Sequence, residues 1–359
     1  MIDRYTPEWC DALFSDEYKY QLWARIEAEV VYHFTGTMHP VPNYEWLAEA
    51  VHDEERRTGH DVVALVNVLV REWKTQYVHY GLTSSDIVDT GWMMTLQRYL
   101  VELTANQIPW LLENVLALRS DEVVMAAGRT HGQIAVPIEW NTRVTRWANG
   151  LRVADLELVP SNFKTGKLSG PVGDYQGPIS PEVELAILKN LGLRPAHRPG
   201  SQILPRSIFC NLVYHLVQVS QAIEQFALDI RLLSQTGIDE VHVEKTEHQV
   251  GSSAMPHKTN PILAERLCGQ ARLMRGYLQA MLESQSVWLE RDISHSSVER
   301  VALVDACVTL ASMVEGARTL AQRTRTHPAI MGTYQHGTAL SSYADTLERI
   351  RNGETVWPK

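Results

Sequence analysis

Several features that mark other classes of protein are missing from this 359-residue sequence. It has only four cysteines, Cys10, Cys210, Cys268 and Cys307, and their wide spacing excludes a C-x-x-C redox or zinc motif, so we expect buried, reduced thiols. No run of about 18 apolar residues occurs, which argues against a membrane span. The N-terminus also lacks the basic-then-apolar layout of a signal peptide. We therefore expect a soluble, cytoplasmic protein.

Positive charge is scarce as well. The chain carries 33 Lys and Arg against 42 Asp and Glu, a formal net charge of -9. Because nucleic-acid phosphates require a cationic face, this balance disfavours a nucleic-acid partner. A site for a small anion must then be a local cationic pocket. The apolar fraction of 45% is that of an ordinary globular protein, and the length allows two or three domains.

Long helical periodicity dominates from about Thr83 to Thr326. Apolar residues spaced three or four positions apart form a continuous seam along one face of a helix, and two short seams of this kind begin at Met93 and Leu303. A third seam has the spacing of a heptad repeat and predicts one helix of at least 25 residues, about 37 Å long. Helices of this kind pack side by side in a bundle, so the sequence predicts an all-α fold. The longest seam comprises Phe209, Leu212, Leu216, Val219, Ile223, Phe226, Ile230 and Leu233.

Additional apolar residues on this helix, Ile208, Val213 and Val217, lie off the seam. Two interpretations are open: they face other helices of the same chain, or they pack against other subunits. The segments 125–137, 166–177 and 246–261 are rich in glycine and polar residues, and we interpret them as loops between helices.

The string GSSAMPHKTNP, Gly251 to Pro261, combines a pliable loop with a lysine. Pro256 fits the first turn of a helix that continues through Glu265 to Arg275. The free backbone N–H groups of such a helix start, together with Lys258, would bind an oxyanion. The alternative for a generic fragment of this type is a capped helix start with a solvated lysine.

Two other segments carry candidate chemistry. In GRTHGQIAVP, His131 is able to protonate a leaving nitrogen, although a lone histidine is more often structural. In VHYGLTSSDIVDT, Thr83 and Ser84 precede a predicted helix and offer hydroxyl and N–H groups to a carboxylate. Capping of that helix by Ser85 is the structural alternative, and the two roles are compatible.

The eleven-residue string closely resembles the signature G-S-S-x-M-P-x-K-x-N-P of the fumarase/aspartase superfamily. The resemblance implies a mobile loop whose first serine, Ser252, is the catalytic base. A serine hydroxyl is a weak acid, so it needs positive potential and exclusion of water when the loop closes. The same resemblance assigns catalytic positions to Lys258 and Glu265 and substrate-binding positions to Asn260 and Met255.

Other segments resemble those of adenylosuccinate lyases within that superfamily. GRTHGQ implies that His131 is the general acid, and HYGLTS and RDISHSS separate this family from its relatives. In GHDVVA, Gly59 occupies the usual place of an arginine. These segments imply that His60 is a catalytic residue. The substrate-binding residues that they imply are Arg4, Tyr5, His79, Thr83, Ser84, Gln202, Arg291, Ser296 and Arg300.

The resemblance further implies β-elimination of fumarate from a small-molecule succinyl-purine nucleotide, both adenylosuccinate and the succinyl-aminoimidazole carboxamide ribotide, with no metal or organic cofactor. It implies a fumarase/aspartase-like long-helix bundle in a homotetramer with shared active sites. We expect an N-terminal helical domain (1–82), a central bundle (83–325) and a remnant of the C-terminal domain (326–359), a short form. Rival interpretations are argininosuccinate lyase, a carboxymuconate cycloisomerase and a non-catalytic structural relative.

Overall fold

The computed structural model describes residues 3–196, 200–245, 259–333, 348–349 and 351–353. No helix in these ranges is long and apolar enough to cross a membrane. Their α-helices, in chain order, are α1 (Glu8–Asp11), α2 (Asp16–Thr35), α3 (Tyr44–Thr58), α4 (Asp61–Trp73), α5 (Ser84–Glu102), α6 (Ile108–Leu116), α7 (Trp140–Leu156), α8 (Pro181–Asn190), α9 (Ser207–Leu233), α10 (Ile262–Glu283), α11 (Ser294–Val298), α12 (Val304–Arg323) and α13 (Pro328–Thr333).

Short two-stranded ladders accompany the helices. The antiparallel pairs are β1 (Met125–Thr130) with β2 (Gln133–Glu139) and β5 (Val241–Val243) with β6 (Thr324–Thr326), and the parallel pair is β3 (Thr165–Gly166) with β4 (Arg194–Pro195). The interpretation of 125–137 as a loop is therefore wrong. A two-residue turn with two positive φ angles closes β1 and β2 into a hairpin, which its glycine and β-branched residues favour.

The predicted helical seams are confirmed. Every residue of the eight-residue seam lies in α9, which has 27 residues, and is buried. The seam residues that begin at Met93 and Leu303 are buried too. Off the seam, Val213 and Val217 are also buried by the chain itself, so the within-chain interpretation holds for them.

The chain forms two compact units. Unit 1 comprises 1–106, 156–217 and 273–312, and unit 2 comprises 107–155, 218–272 and 313–359, so the division falls within α9, α10 and α12. In unit 2 the ring of Trp147 contacts Trp140 and Phe226 edge-on, with centroids 5.6 and 5.2 Å away. In unit 1 the hydroxyl of the buried Tyr99 donates to the Cys307 carbonyl at 2.8 Å.

Local sequence signals explain where several helices begin and end. The Ser15 hydroxyl accepts from the Tyr18 amide at the start of α2, and Gly36 ends that helix with a φ of 72°. The prediction of one continuous helix from Pro256 to Arg275 is wrong, because residues 259–261 are not helical and α10 begins at Ile262; Pro256 itself lies outside the described residues. The preceding Pro261 disfavours helical geometry at Asn260.

Helices α2 and α5 approach closely at Gly91, which predicts a steric test. A Cβ at this position would lie 2.5 Å from Nε1 and 2.6 Å from Cδ1 of the buried Trp23. We expect Gly91→Ala to lower the free energy of unfolding by about 1–3 kcal/mol through overpacking, as measured by urea denaturation.

The matched control is Gly269→Ala in α10, where a Cβ would meet no atom within 4 Å. There the higher helix propensity of alanine should raise stability by up to about 1 kcal/mol. Equal effects of the two substitutions would contradict the close α2–α5 contact.

Candidate active site

A cavity of about 210 Å³ in unit 1 brings together predicted site residues from three separate segments. Asp61, Asp89, His295 and Glu299, which sequence analysis did not select, share its walls. The predicted residues that line it are His60, Ser84, Arg291, Ser296 and Arg300.

Two helix N-termini form one side of this cavity. His60 is the N-cap residue of α4, and Thr83 is the N-cap residue of α5. The His60 Nε2 and Ser84 Oγ atoms are 3.5 Å apart. The predicted cap at Ser85 is wrong, because this residue is already inside the helix and is buried. The first-turn N–H groups of both helices suit an anionic ligand.

Asp86, in the first turn of α5, fixes the chain around Thr83. Its carboxylate accepts from the Thr83 amide at 2.8 Å, from Nζ of the buried Lys167, and from the Ser169 and Gly170 amides at 3.2 and 3.3 Å. Burial raises the pKa of Asp86 to about 6, against the opposing effect of Lys167. This carboxylate ties one predicted loop, 166–177, to the helix start that bears the candidate carboxylate-binding hydroxyls.

The cavity arginines have different partners. Arg300 donates to the Asp61 carboxylate at 2.9 Å. Arg291 donates from Nη1 to the neutral amide oxygen of Gln202 at 2.6 Å, and its buried Nε has no partner among the described residues. Gln202 therefore orients the Arg291 guanidinium without neutralising its positive charge, and that charge remains available to bind an anion. Gln202 is itself fixed, since its Nε2 donates to the Pro171 carbonyl at 2.8 Å.

Two buried carboxylates share one guanidinium beside the cavity. Arg206 donates to both oxygens of Glu299, at 3.1 and 2.9 Å, and also to Asp89. Burial and the surplus negative charge raise the pKa of Glu299 to about 7. Burial and the nearby Arg206 lower the pKa of His295, which favours the neutral imidazole. The sequence shows these charges but not that they are buried together.

Other predicted residues of unit 1 do not line the cavity. His79 lies in the turn before α5 and is bound by the buried Glu27. Arg4 and Tyr5 belong to the 3-10 turn Asp3–Tyr5, where Arg4 is exposed.

In unit 2, His131 occupies an exposed hairpin turn. Its φ is 54° and that of Gly132 is 76°, the pair of positive angles of a type I′ turn. Below the turn, Arg129 and Arg143 donate to the two oxygens of the fully buried Glu240, at 2.6 and 2.9 Å. The carboxylate thereby anchors the hairpin that presents the imidazole.

Unit 2 has a cavity of its own, of about 830 Å³, which Asn260 and Glu265 line together with Arg231 and His242. His131 does not line it. Ser252, Met255 and Lys258 lie outside the described residues.

Comparison with known proteins gives consistent matches. The family described as Lyase matches residues 43–276. The adenylosuccinate lyase of Synechocystis sp. is 36% identical over 346 residues, which cover 92% of this chain and 79% of that protein. The adenylosuccinate lyase of Bacillus subtilis is 31% identical, with 100% of this chain and 88% of that protein covered.

This chain belongs to the adenylosuccinate lyase family. The resemblance drawn from the sequence motifs is thereby confirmed, and with it the assignment to a lyase family with a small-molecule substrate. The predicted all-α class is confirmed by a solved structure of the 3-carboxy-cis,cis-muconate lactonizing enzyme from Pseudomonas putida. It superposes with a TM-score of 0.83 at 23% identity, over 97% of this chain and 82% of that one, a likeness of fold alone.

Burial of Glu299 in this adenylosuccinate lyase family member makes stability depend on pH. The pKa of Glu299 is about 7 in the folded chain against 4.5 for an ordinary glutamate, so the folded form binds the proton more tightly. This group therefore favours folding below about pH 4.5, and its contribution is lost as pH rises through 7. We expect the stability of Glu299→Gln, relative to the parent chain, to increase from pH 5.5 to pH 8.5 in thermal melts.

The control is Glu49→Gln in α3, where the glutamate is exposed and stays solvated on unfolding. Its melting temperature should follow that of the parent chain at every pH. If Glu299→Gln behaved in the same way, the raised pKa assigned to the buried Glu299 would be wrong.

Proposed function

We propose that this chain eliminates fumarate from adenylosuccinate, giving AMP, and from the succinyl-aminoimidazole carboxamide ribotide. The proposal rests above all on the unit 1 cavity, where Arg291 is held by a neutral amide beside two helix N-termini. A guanidinium in that state, on a chain with net charge -9, suits the phosphate of a nucleotide. The names of the similar proteins support the same substrate.

Each proposed residue has one task. Ser252 removes a proton from the succinyl carbon next to the carboxylate, the C–N bond breaks, and His131 gives a proton to the departing nitrogen. Thr83, Ser84, Lys258 and Asn260 bind the succinyl carboxylates and stabilise the dianion that forms. The phosphate binds to Arg4, Arg291 and Arg300.

The Arg300–Asp61 ion pair has a consequence for binding. Arg300 is 62% exposed, so a phosphate can approach it while it stays near Asp61, which is only 11% exposed and also accepts from the Val62 amide at 2.8 Å. The substrate phosphate can then recruit this arginine in addition to Arg291. His60 and Ser296 complete the proposed polar wall.

The catalytic roles predict large losses in two variants. We choose His131→Asn over His131→Ala, because asparagine tolerates the positive φ of the turn. The variant then keeps the turn and loses only the ability of the side chain to transfer a proton. We expect His131→Asn and Ser252→Ala each to lower kcat by about 100- to 10,000-fold in an absorbance assay with adenylosuccinate.

The control is His33→Asn, which changes an exposed histidine of α2 and should leave kcat unchanged. Full activity in either test variant would refute its assigned role. Argininosuccinate and carboxymuconate are assayed in parallel, and turnover of one of them without turnover of adenylosuccinate would favour a rival superfamily enzyme.

We also propose a homotetramer with active sites built from several subunits. Large apolar side chains on the long helices are exposed in the single chain, among them Leu232 in α9 at 51% and Leu273 in α10 at 50%. Exposed large apolar side chains that recur along long helices are a feature of surfaces that other subunits cover.

Mixing two inactive variants tests the shared sites. Light scattering should give four times the chain mass of 40.6 kDa. When Ser252→Ala and His131→Asn chains are unfolded, mixed and refolded together, activity should return, because some sites then combine two intact segments. Each variant refolded alone should stay inactive. Mixed tetramers without activity would mean that each site lies within one chain.

A further inference from the structure

The turn between α4 and α5 holds His79 in an uncommon backbone conformation. Its φ is 61°, in the left-handed region that β-carbon-bearing residues seldom adopt. Two successive tight turns form here, because the Tyr80 amide donates to the Tyr77 carbonyl at 3.3 Å and the Leu82 amide to the His79 carbonyl at 3.2 Å. Such a strained position needs support from the surrounding structure.

Glu27, in the middle of α2, provides that support. Its side chain is fully buried. One carboxylate oxygen accepts from the His79 backbone amide at 2.7 Å, and the other accepts from His79 Nδ1 at 2.7 Å. A single carboxylate thus fixes both the backbone and the ring of a residue 52 positions further along the chain.

These contacts also determine which nitrogen carries a proton. An ionised carboxylate only accepts hydrogen bonds, so Nδ1 of His79 must carry hydrogen, and Nε2 remains for another partner. Burial lowers the pKa of His79, but the hydrogen bond and charge of Glu27, with a smaller effect of Asp86, raise it overall. The imidazolium form, in which Nε2 donates, is thereby favoured.

We propose that Glu27 is a positioning residue for substrate binding, which fixes the ring of His79 so that Nε2 donates to an anionic group of the substrate. This inference rests on the proposed function and on the substrate contact that the resemblance of the HYGLTS segment implies for His79. A purely structural Glu27 would support the turn without affecting the protonation of the ring, and that difference is measurable.

The test compares Glu27→Gln with the parent chain. The amide keeps the shape of the side chain, but it can accept only one of the two hydrogen bonds and carries no charge. We expect KM for adenylosuccinate to rise about tenfold or more, as for loss of a charged hydrogen bond, with kcat changed less. The basic limb of the kcat/KM profile should shift to lower pH, because the imidazolium loses its counter-ion.

Glu29→Gln is the matched control on the same helix. Its carboxylate accepts from Asn190 at 2.9 Å near the surface, so KM and the pH profile should match those of the parent chain. Glu27→Asp keeps the negative charge, so the basic limb of its kcat/KM profile should lie between those of Glu27→Gln and the parent chain.

Three results would overturn the proposal, and they are distinguishable. If Glu27→Gln raises KM without moving the pH profile, Glu27 is structural only. If His79→Gln leaves KM unchanged while the parent chain still releases fumarate, then His79 does not contact substrate. In that case the inference is wrong, but the proposed function still stands. If the parent chain does not turn over adenylosuccinate, the proposed function fails first.

Nitrogen NMR of the parent chain gives a test that does not depend on whether any substituted chain folds. The ring signals of His79, labelled with ¹⁵N, should show Nδ1 protonated throughout and a pKa above the ordinary histidine value of 6.5. A bare Nδ1 in the neutral ring would overturn the proposal.

Discussion

Buried carboxylates, each satisfied by donors from a distant segment, are the constraint on which the candidate site depends. In unit 1, Asp86 binds Lys167 and the amides that follow it, and Asp89 shares Arg206 with Glu299. In unit 2, Glu240 binds two arginines beneath the hairpin of His131. A buried carboxylate without partners would be very unfavourable, so each of these contacts strongly selects one loop conformation.

This arrangement solves a general problem of helical enzymes. Helices are rigid and present their side chains along a stripe, whereas the chemistry requires polar groups at their ends and in the loops. A loop cannot hold itself in place with an apolar core. Anchoring it to a helix by charge-assisted hydrogen bonds gives the necessary precision, because such bonds are short, directional and strong in a dry interior.

The fold alone does not determine the reaction. A muconate lactonizing enzyme shares the architecture with a TM-score of 0.83 but only 23% identity. The helical frame is therefore compatible with different chemistry, and the side chains at the helix starts and loop tips must supply the differences. In this chain we propose Ser84 and His60 at two N-termini and His131 at a hairpin turn as such side chains.

Seam periodicity, helix-start signals and the motif strings could be read directly from the sequence, because each depends on residues close together along the chain. The buried face of α9 and the identity of the family followed from them. The hairpin at 125–139 and the start of α10 at Ile262 did not, since a glycine-rich string is compatible with several backbone forms.

The sequence by itself determined which residue types are available for the reaction. Only the tertiary structure decided which carboxylates are buried and what satisfies them, as with Glu27 and His79 or Glu299 and Arg206. The reason is physical: the charge state and position of such groups depend on partners 52 and 93 residues away, and on the exclusion of water that only a packed core provides.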